Sequence, residues 1–142
     1  PPGSEYPPIL TAHSIDNNGI FEVSGHGGEI SLQPFPLVHG NIVALGFRIG
    51  DFAYTPDVST IPEDVVHHLA GLDCWIVDAL RDTQHPTHFS LSDALGWVER
   101  MRPRRAVLTN LHTDLDYRRL CSELPDPVVP AYDGMVIDLD VN

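Results

Sequence analysis

A layered α/β sandwich is the fold class the sequence predicts, and three observations predict it. In the first half, "GIFEVSG" and "GEISLQPFPLVHG" alternate apolar and polar residues between glycines, the pattern of short half-buried strands that pair antiparallel. From residue 60 onward, apolar strand-like runs alternate with segments at helical spacing, which favours strands covered by helices. The length of 142 residues is that of one domain and suffices to bury one core.

Taken in order, residues 1–19 form a Pro/Gly-rich irregular lead-in, and "PPGSEYPPIL" with no initiating Met reads as the middle of a longer chain. Residues 1–142 are thus expected to be one partial domain. The run "ALGFRIGDFAYTPD" predicts a hairpin turning at Gly50-Asp51, with Asp57 closing its second strand. "TIPEDVVHHLAGLD" predicts a helix with Thr60 as N-cap, Pro62 and Glu63 in the first turn and Gly71 as the stop. Adjacent His67 and His68 should then point apart and share no metal. "CWIVDAL" is a buried strand, "SLSDALGWVERMRP" a helix capped by Ser90 or Ser92 and ended by Pro103, and "AVLT" another strand. "DYRRLCSEL" predicts a further helix, with Asp114 and Asp116 as carboxylates at its start, and "PAYDGMVIDL" a closing hairpin. Trp75 and Trp97 are expected to pack in the core.

Eight Lys plus Arg against 20 Asp plus Glu give a formal net charge of −12, which repels phosphate backbones and argues against nucleic acid as a partner. A bound divalent cation would reverse that balance locally and admit a small anionic substrate. Cys74 and Cys121 form no Cys-x-x-Cys pair and lie in apolar-patterned segments, so buried free thiols and a cytoplasmic setting are expected. No apolar run is long enough to span a bilayer, so no membrane partner is expected, and a homodimer is left open.

In layered α/β folds function gathers where strands end and loops begin. Four predicted strands end in groups able to bind protons or metals: "PLVHG" with His39, "YTPDVS" with Asp57, "VDALRDTQHPTHFS" with Asp78, His85 and His88, and "AVLTNLHTD" with Asn110, His112 and Asp114. Imidazole and carboxylate are ligands for zinc, manganese and iron, and hydrolytic sites keep an open position for water. A solvated histidine or a turn-capping aspartate accounts for each residue singly; the convergence favours a site.

The order "PLVHG", "LGFRIGDFAYTPDVS", "VDALR…HPTHFSL", "AVLTNLHTDLDY", "AYDGM" resembles the C-terminal half of the metallo-β-lactamase-fold hydrolases. Within them it is most similar to the branch containing the phosphoribosyl cyclic phosphate phosphodiesterase. The resemblance implies an αβ/βα sandwich, of which this chain is the C-terminal half, and two divalent metal ions, manganese or zinc, that serve hydrolysis of phosphodiesters. It implies His39 and Asp57 as metal ligands, with Asp57 between two cations roughly 3.5–4 Å apart. It implies His88 as the catalytic group that protonates the leaving oxygen or holds the phosphate, work suited to an imidazole. His85 is a candidate for substrate contact.

Two departures qualify what the resemblance implies. Many relatives place a metal-binding histidine directly after the "LT" that ends the last strand, where this chain has Asn110. Either His112 reaches the metal, or Asn110 coordinates weakly or through water, or Asn110 touches substrate. The family's His-x-His-x-Asp-His signature is absent from the 142 residues, so the chain alone is expected to be inactive toward its small-molecule phosphate ester and active only with the missing N-terminal half. A non-catalytic binding domain of the same fold, or a thioester or lactone hydrolase, is the alternative.

Overall fold

The computed structural model describes residues 9–15 and 19–139. Of the irregular lead-in, residues 1–8 and 16–18 lie outside the described residues, and 9–15 form no helix or strand. Seven strands follow: β1 (Phe21–Gly25), β2 (Gly28–His39), β3 (Ile42–Ile49), β4 (Phe52–Thr55), β5 (Cys74–Asp78), β6 (Arg105–Thr109) and β7 (Val128–Pro130). They lie side by side in chain order. The pairs from β1 to β4 are antiparallel and those from β4 to β7 parallel.

Period-2 patterning sets the faces. Phe35 and Leu37 of β2, Ala53 of β4, Trp75 and Val77 of β5, and Ala106 and Leu108 of β6 are buried on one side, in one cluster with Val65 and Leu69 of a 3₁₀ helix (Glu63–Leu69) and Ala94 and Val98 of α1 (Leu91–Met101). Trp75 is fully buried, and its indole N–H donates to the Thr55 hydroxyl at 3.0 Å, so its polar tip is satisfied. Trp97 lies at the edge of the cluster, with the Arg100 guanidinium 4.7 Å above its ring.

Strand β2 takes up nearly the whole alternating run and tolerates two prolines because of where they fall. The Val38 N–H donates to the Thr60 carbonyl at 3.0 Å, on the side away from β3, and Pro34 and Pro36 share its parity. Their missing N–H groups therefore lie toward the edge that β3 does not use.

The Gly50-Asp51 turn forms as expected, with Gly50 at φ 55°. Arg48 braces it. Its Nε donates to the Gly50 carbonyl, its two terminal nitrogens to the His68 and Ala70 carbonyls and to the Asp51 carboxylate, all within 2.9 Å. Arg48→Ala is expected to lower stability by about 1–2 kcal/mol in urea titration, because the freed carbonyls can turn to water.

Several expectations are corrected. The segment after Thr60 is a single 3₁₀ stretch with Pro62 as N-cap and no side-chain cap; Thr60 instead bridges to Val38, so the sheet edge has claimed its backbone. The His67 and His68 rings do not point apart: their centroids are 4.0 Å apart, since His68 folds back to stack on Phe35 at 4.9 Å. Among the described residues no third donor joins them. Helix α1 is capped by Ser90 in a capping box with Asp93, and α2 (Tyr117–Glu123) by Asp116. The closing hairpin is absent among the described residues: β7 adds in parallel to β6, and residues 131–139 contain no strand. They turn at Asp133-Gly134 and run to Ile137–Leu139, which with Phe52, Cys74 and Arg105 line a cavity of about 370 Å³ at the amino-terminal ends of β4–β6.

Cys121 is exposed, contrary to expectation, because the short α2 turns its neighbour Leu120 inward. Cys74 is buried, and that burial raises its thiol pKa. A thiol-specific reagent at neutral pH should therefore modify Cys121 quickly and Cys74 only on unfolding, read as one rapid equivalent rather than two.

Candidate metal centre

Strands β2, β4, β5 and β6 all run the same way, so their carboxyl ends share one rim. His39 ends β2, Asp57 follows β4 by two residues, Asp78 ends β5, and Asn110 follows β6. The rim is tied together by backbone bonds: Ser59 N–H to the Val38 carbonyl at 2.7 Å, Ala79 N–H to Thr109 at 3.0 Å and His112 N–H to Leu80 at 2.8 Å. Loop 79–90 carries His85 and His88 back over this edge, pinned by Leu80 N–H to Phe89 and Leu91 N–H to Arg81.

The structure brings His39, Asp57 and His88 together. One ligand atom from each lies within 4.8 Å of the others, the group that could hold a metal ion among the described residues. The His39 and His88 rings meet edge-on at 4.6 Å between centroids. His39 donates from Nδ1 to the Thr87 carbonyl at 2.6 Å, which leaves Nε2 as its ligating nitrogen. Asp57 is half-exposed, with its carboxylate 4.0 Å from His88 Nδ1. Two nitrogens and one carboxylate oxygen are a donor set suited to zinc, manganese or iron. The residues present thus fit one divalent cation, with positions to spare for further donors or water.

His88 is anchored by Asp78, a carboxylate with no exposed surface, through a 2.8 Å bond from Nδ1. Burial raises the Asp78 pKa, and the bonds from His88, Val58 and Asn110 counter that rise. Asp78 was legible only as a strand end. The signal that could have singled it out is a charge closing the buried run "CWIVD", since a buried carboxylate needs partners.

Asn110 sits beside this group, in the left-handed conformation at φ 63°, donating its amide to Asp78 at 3.1 Å. The His85 ring lies 5.3 Å from that of His88, tilted by 47°, and accepts at Nδ1 from the Thr87 N–H and hydroxyl. Partial desolvation, helped by the Arg81 charge, lowers its pKa. His112, the other expected candidate for metal, stands outside the group: it is exposed, its Nδ1 3.2 Å from the Asp114 carboxylate. Its backbone N–H joins the rim at Leu80, while its exposed ring lies beside Asp114 and outside the group.

Comparisons with known proteins bear on the family and the fold. Residues 2–110 match the β-lactamase superfamily domain. The chain is 25% identical over 136 residues to an octanoyltransferase of Porphyromonas gingivalis, covering 94% of this chain and 27% of that protein. It superposes on a crystal structure of a diphosphatase from the PhnP family with a TM-score of 0.83 and 29% identity, over 91% of this chain and 49% of that one. With Zn(2+)-bound PqqB from Methylobacterium extorquens the TM-score is 0.68 at 19% identity, over 89% of this chain and 55% of that one. The chain therefore spans about a quarter of the length of the curated relative and about half that of these solved structures. On the strength of the matched residues and the shared sheet, the chain belongs to the β-lactamase superfamily domain family and has the metallo-β-lactamase fold.

Proposed function

We propose that the chain carries one side of the metal centre of a hydrolase acting on small phosphate esters, completed by donors beyond these 142 residues. The observation that carries it is the approach of His39, Asp57 and His88 to within 4.8 Å at the rim where the parallel strands end. His39 and Asp57 hold a divalent cation, manganese or zinc, in this reading. Such an ion supplies Lewis acidity toward a phosphoryl oxygen and lowers the pKa of bound water. His88 handles the proton of the departing alcohol, and His85 and Asn110 flank the substrate. Two ions need more donors than the one group found among the described residues, and a bound cation would offset locally the net charge of −12 that disfavours an anionic ester. Similarity to a PhnP-family diphosphatase supports a phosphate ester over other substrates.

The test has two parts. Equilibrium dialysis of the chain with manganese or zinc should find about one weakly held ion, lost in His39→Ala. Assay against a generic aryl phosphodiester with manganese should find no turnover by the chain alone, and turnover once it is extended to the length of the diphosphatase. Absence of metal from both forms overturns the proposal in favour of a non-catalytic binding domain, to which Asn110 points. The match to an octanoyltransferase favours acyl esters as the second substrate class, so a thioester is assayed in parallel.

A further inference from the structure

Three N–H donors converge on the two oxygens of Asp78. His88 Nδ1 lies 2.8 Å and the Val58 N–H 3.2 Å from Oδ2, and the Asn110 amide lies 3.1 Å from Oδ1. Asp78 has no solvent-exposed surface, and no buried side-chain polar atom among the described residues lacks a partner. An ionised carboxylate only accepts, so a ring of three donors is the arrangement that satisfies it. His88 Nδ1 also lies 3.3 Å from the Asn110 amide nitrogen, but two donors cannot bond to each other. The shorter contact to Asp78 decides that Nδ1 carries the proton.

We infer that Asp78 is a positioning residue for the metal group: it fixes His88 as the Nδ1–H tautomer, so that Nε2 serves the site, and through the Val58 N–H it sets the loop that carries Asp57. Two of the three members of the group are thereby held from one buried carboxylate at the end of β5, the strand between β4, which precedes Asp57, and β6, which precedes Asn110. Asp78 itself touches neither substrate nor metal in this scheme. The role of the site rests on the function proposed above, whereas the tautomer is a property of the chain itself and is read without metal.

The experiment is ¹⁵N-histidine NMR of the metal-free chain, with the His88 signal assigned by its loss in His88→Gln. At a pH well above the ordinary imidazole range, where only the tautomer is at issue, the expected signal is a protonated Nδ1 and an unprotonated Nε2. Asp78→Asn should mix or invert the tautomer and, by loosening the Val58 bond that sets the loop carrying Asp57, weaken manganese or zinc binding roughly 10-fold, the usual scale for losing a group that orients a metal ligand. Asn110→Gly, which keeps the left-handed backbone, should leave the tautomer unchanged. An Nε2–H tautomer in the unaltered chain overturns the inference, even if Asp78→Asn fails to fold. So does a tautomer that follows Asn110 rather than Asp78, or a folded Asp78→Asn chain with tautomer and metal affinity unaltered. If neither the chain nor its extended form binds metal yet His88 shows the Nδ1–H tautomer, the proposed function falls while the anchoring of His88 by Asp78 stands.

Discussion

Asp57→Asn is expected to weaken manganese or zinc binding by roughly 100-fold while leaving thermal stability almost unchanged. The magnitude follows from structural zinc sites, where about 10–16 kcal/mol shared among four ligands gives roughly 3 kcal/mol for each. Asp57 is also the one anionic donor of the three, so its loss removes attraction that the two imidazoles cannot replace. Stability should be spared because the side chain does little for the fold: it is half-exposed, and its contact with His88 is 4.0 Å. The loop around it is held by the backbone, through the Val58 N–H on Asp78 and the Ser59 N–H on Val38, and an asparagine of the same shape keeps both. Isothermal titration of the two proteins, beside their melting curves, separates the effects. Unchanged affinity would remove Asp57 from the ligand set.

What could be read from the sequence, and what could not, divides by the range of the interactions concerned. Ser90 as the cap of α1, Asp116 as the cap of α2 and the Gly50-Asp51 hairpin all act within three residues of their partners, and local pattern shows them. His39, Asp57 and His88 were legible by strand ends only as part of a larger set that also held Asp78, His85, Asn110 and His112, and the family resemblance was what narrowed it. Asp78 was not legible as an organiser, since its partners lie 10, 20 and 32 residues away and only the parallel pairing of β4, β5 and β6 brings them to it. Thr60 shows the opposite failure: its sequence suits an N-cap, but a bond to Val38 across the sheet edge outweighs a local preference worth about 1 kcal/mol. His112 stands outside the group because its ring lies exposed beside Asp114, a side-chain placement that no hydrophobic period records.

Gly40→Ala should destabilise the chain by about 2–5 kcal/mol and abolish metal binding, although Gly40 bears no functional group. Its φ is 61°, and a left-handed alanine costs roughly 1–2 kcal/mol. An added Cβ would also lie 2.5 Å from Thr87 Cγ2, a contact that cannot persist. Thr87 has little freedom to yield: its hydroxyl and N–H are bonded to His85, and its carbonyl receives the His39 Nδ1–H at 2.6 Å. Displacing it therefore moves His39, and overpacking of this kind adds about 1–3 kcal/mol. Gly50→Ala supplies the control, because Gly50 has φ 55° with nothing within 4 Å of its added Cβ, so it bears only the backbone cost. The difference between the two variants in urea titration isolates the Thr87 contact. Adding Thr87→Ala to Gly40→Ala removes Cγ2 and should restore stability by roughly the overpacking cost and return part of the metal affinity, a coupling expected only of residues in contact. If Gly40→Ala and Gly50→Ala cost the same and both keep the metal, the 39–40 corner does not press on loop 79–90, and His39 owes its position to β2 alone.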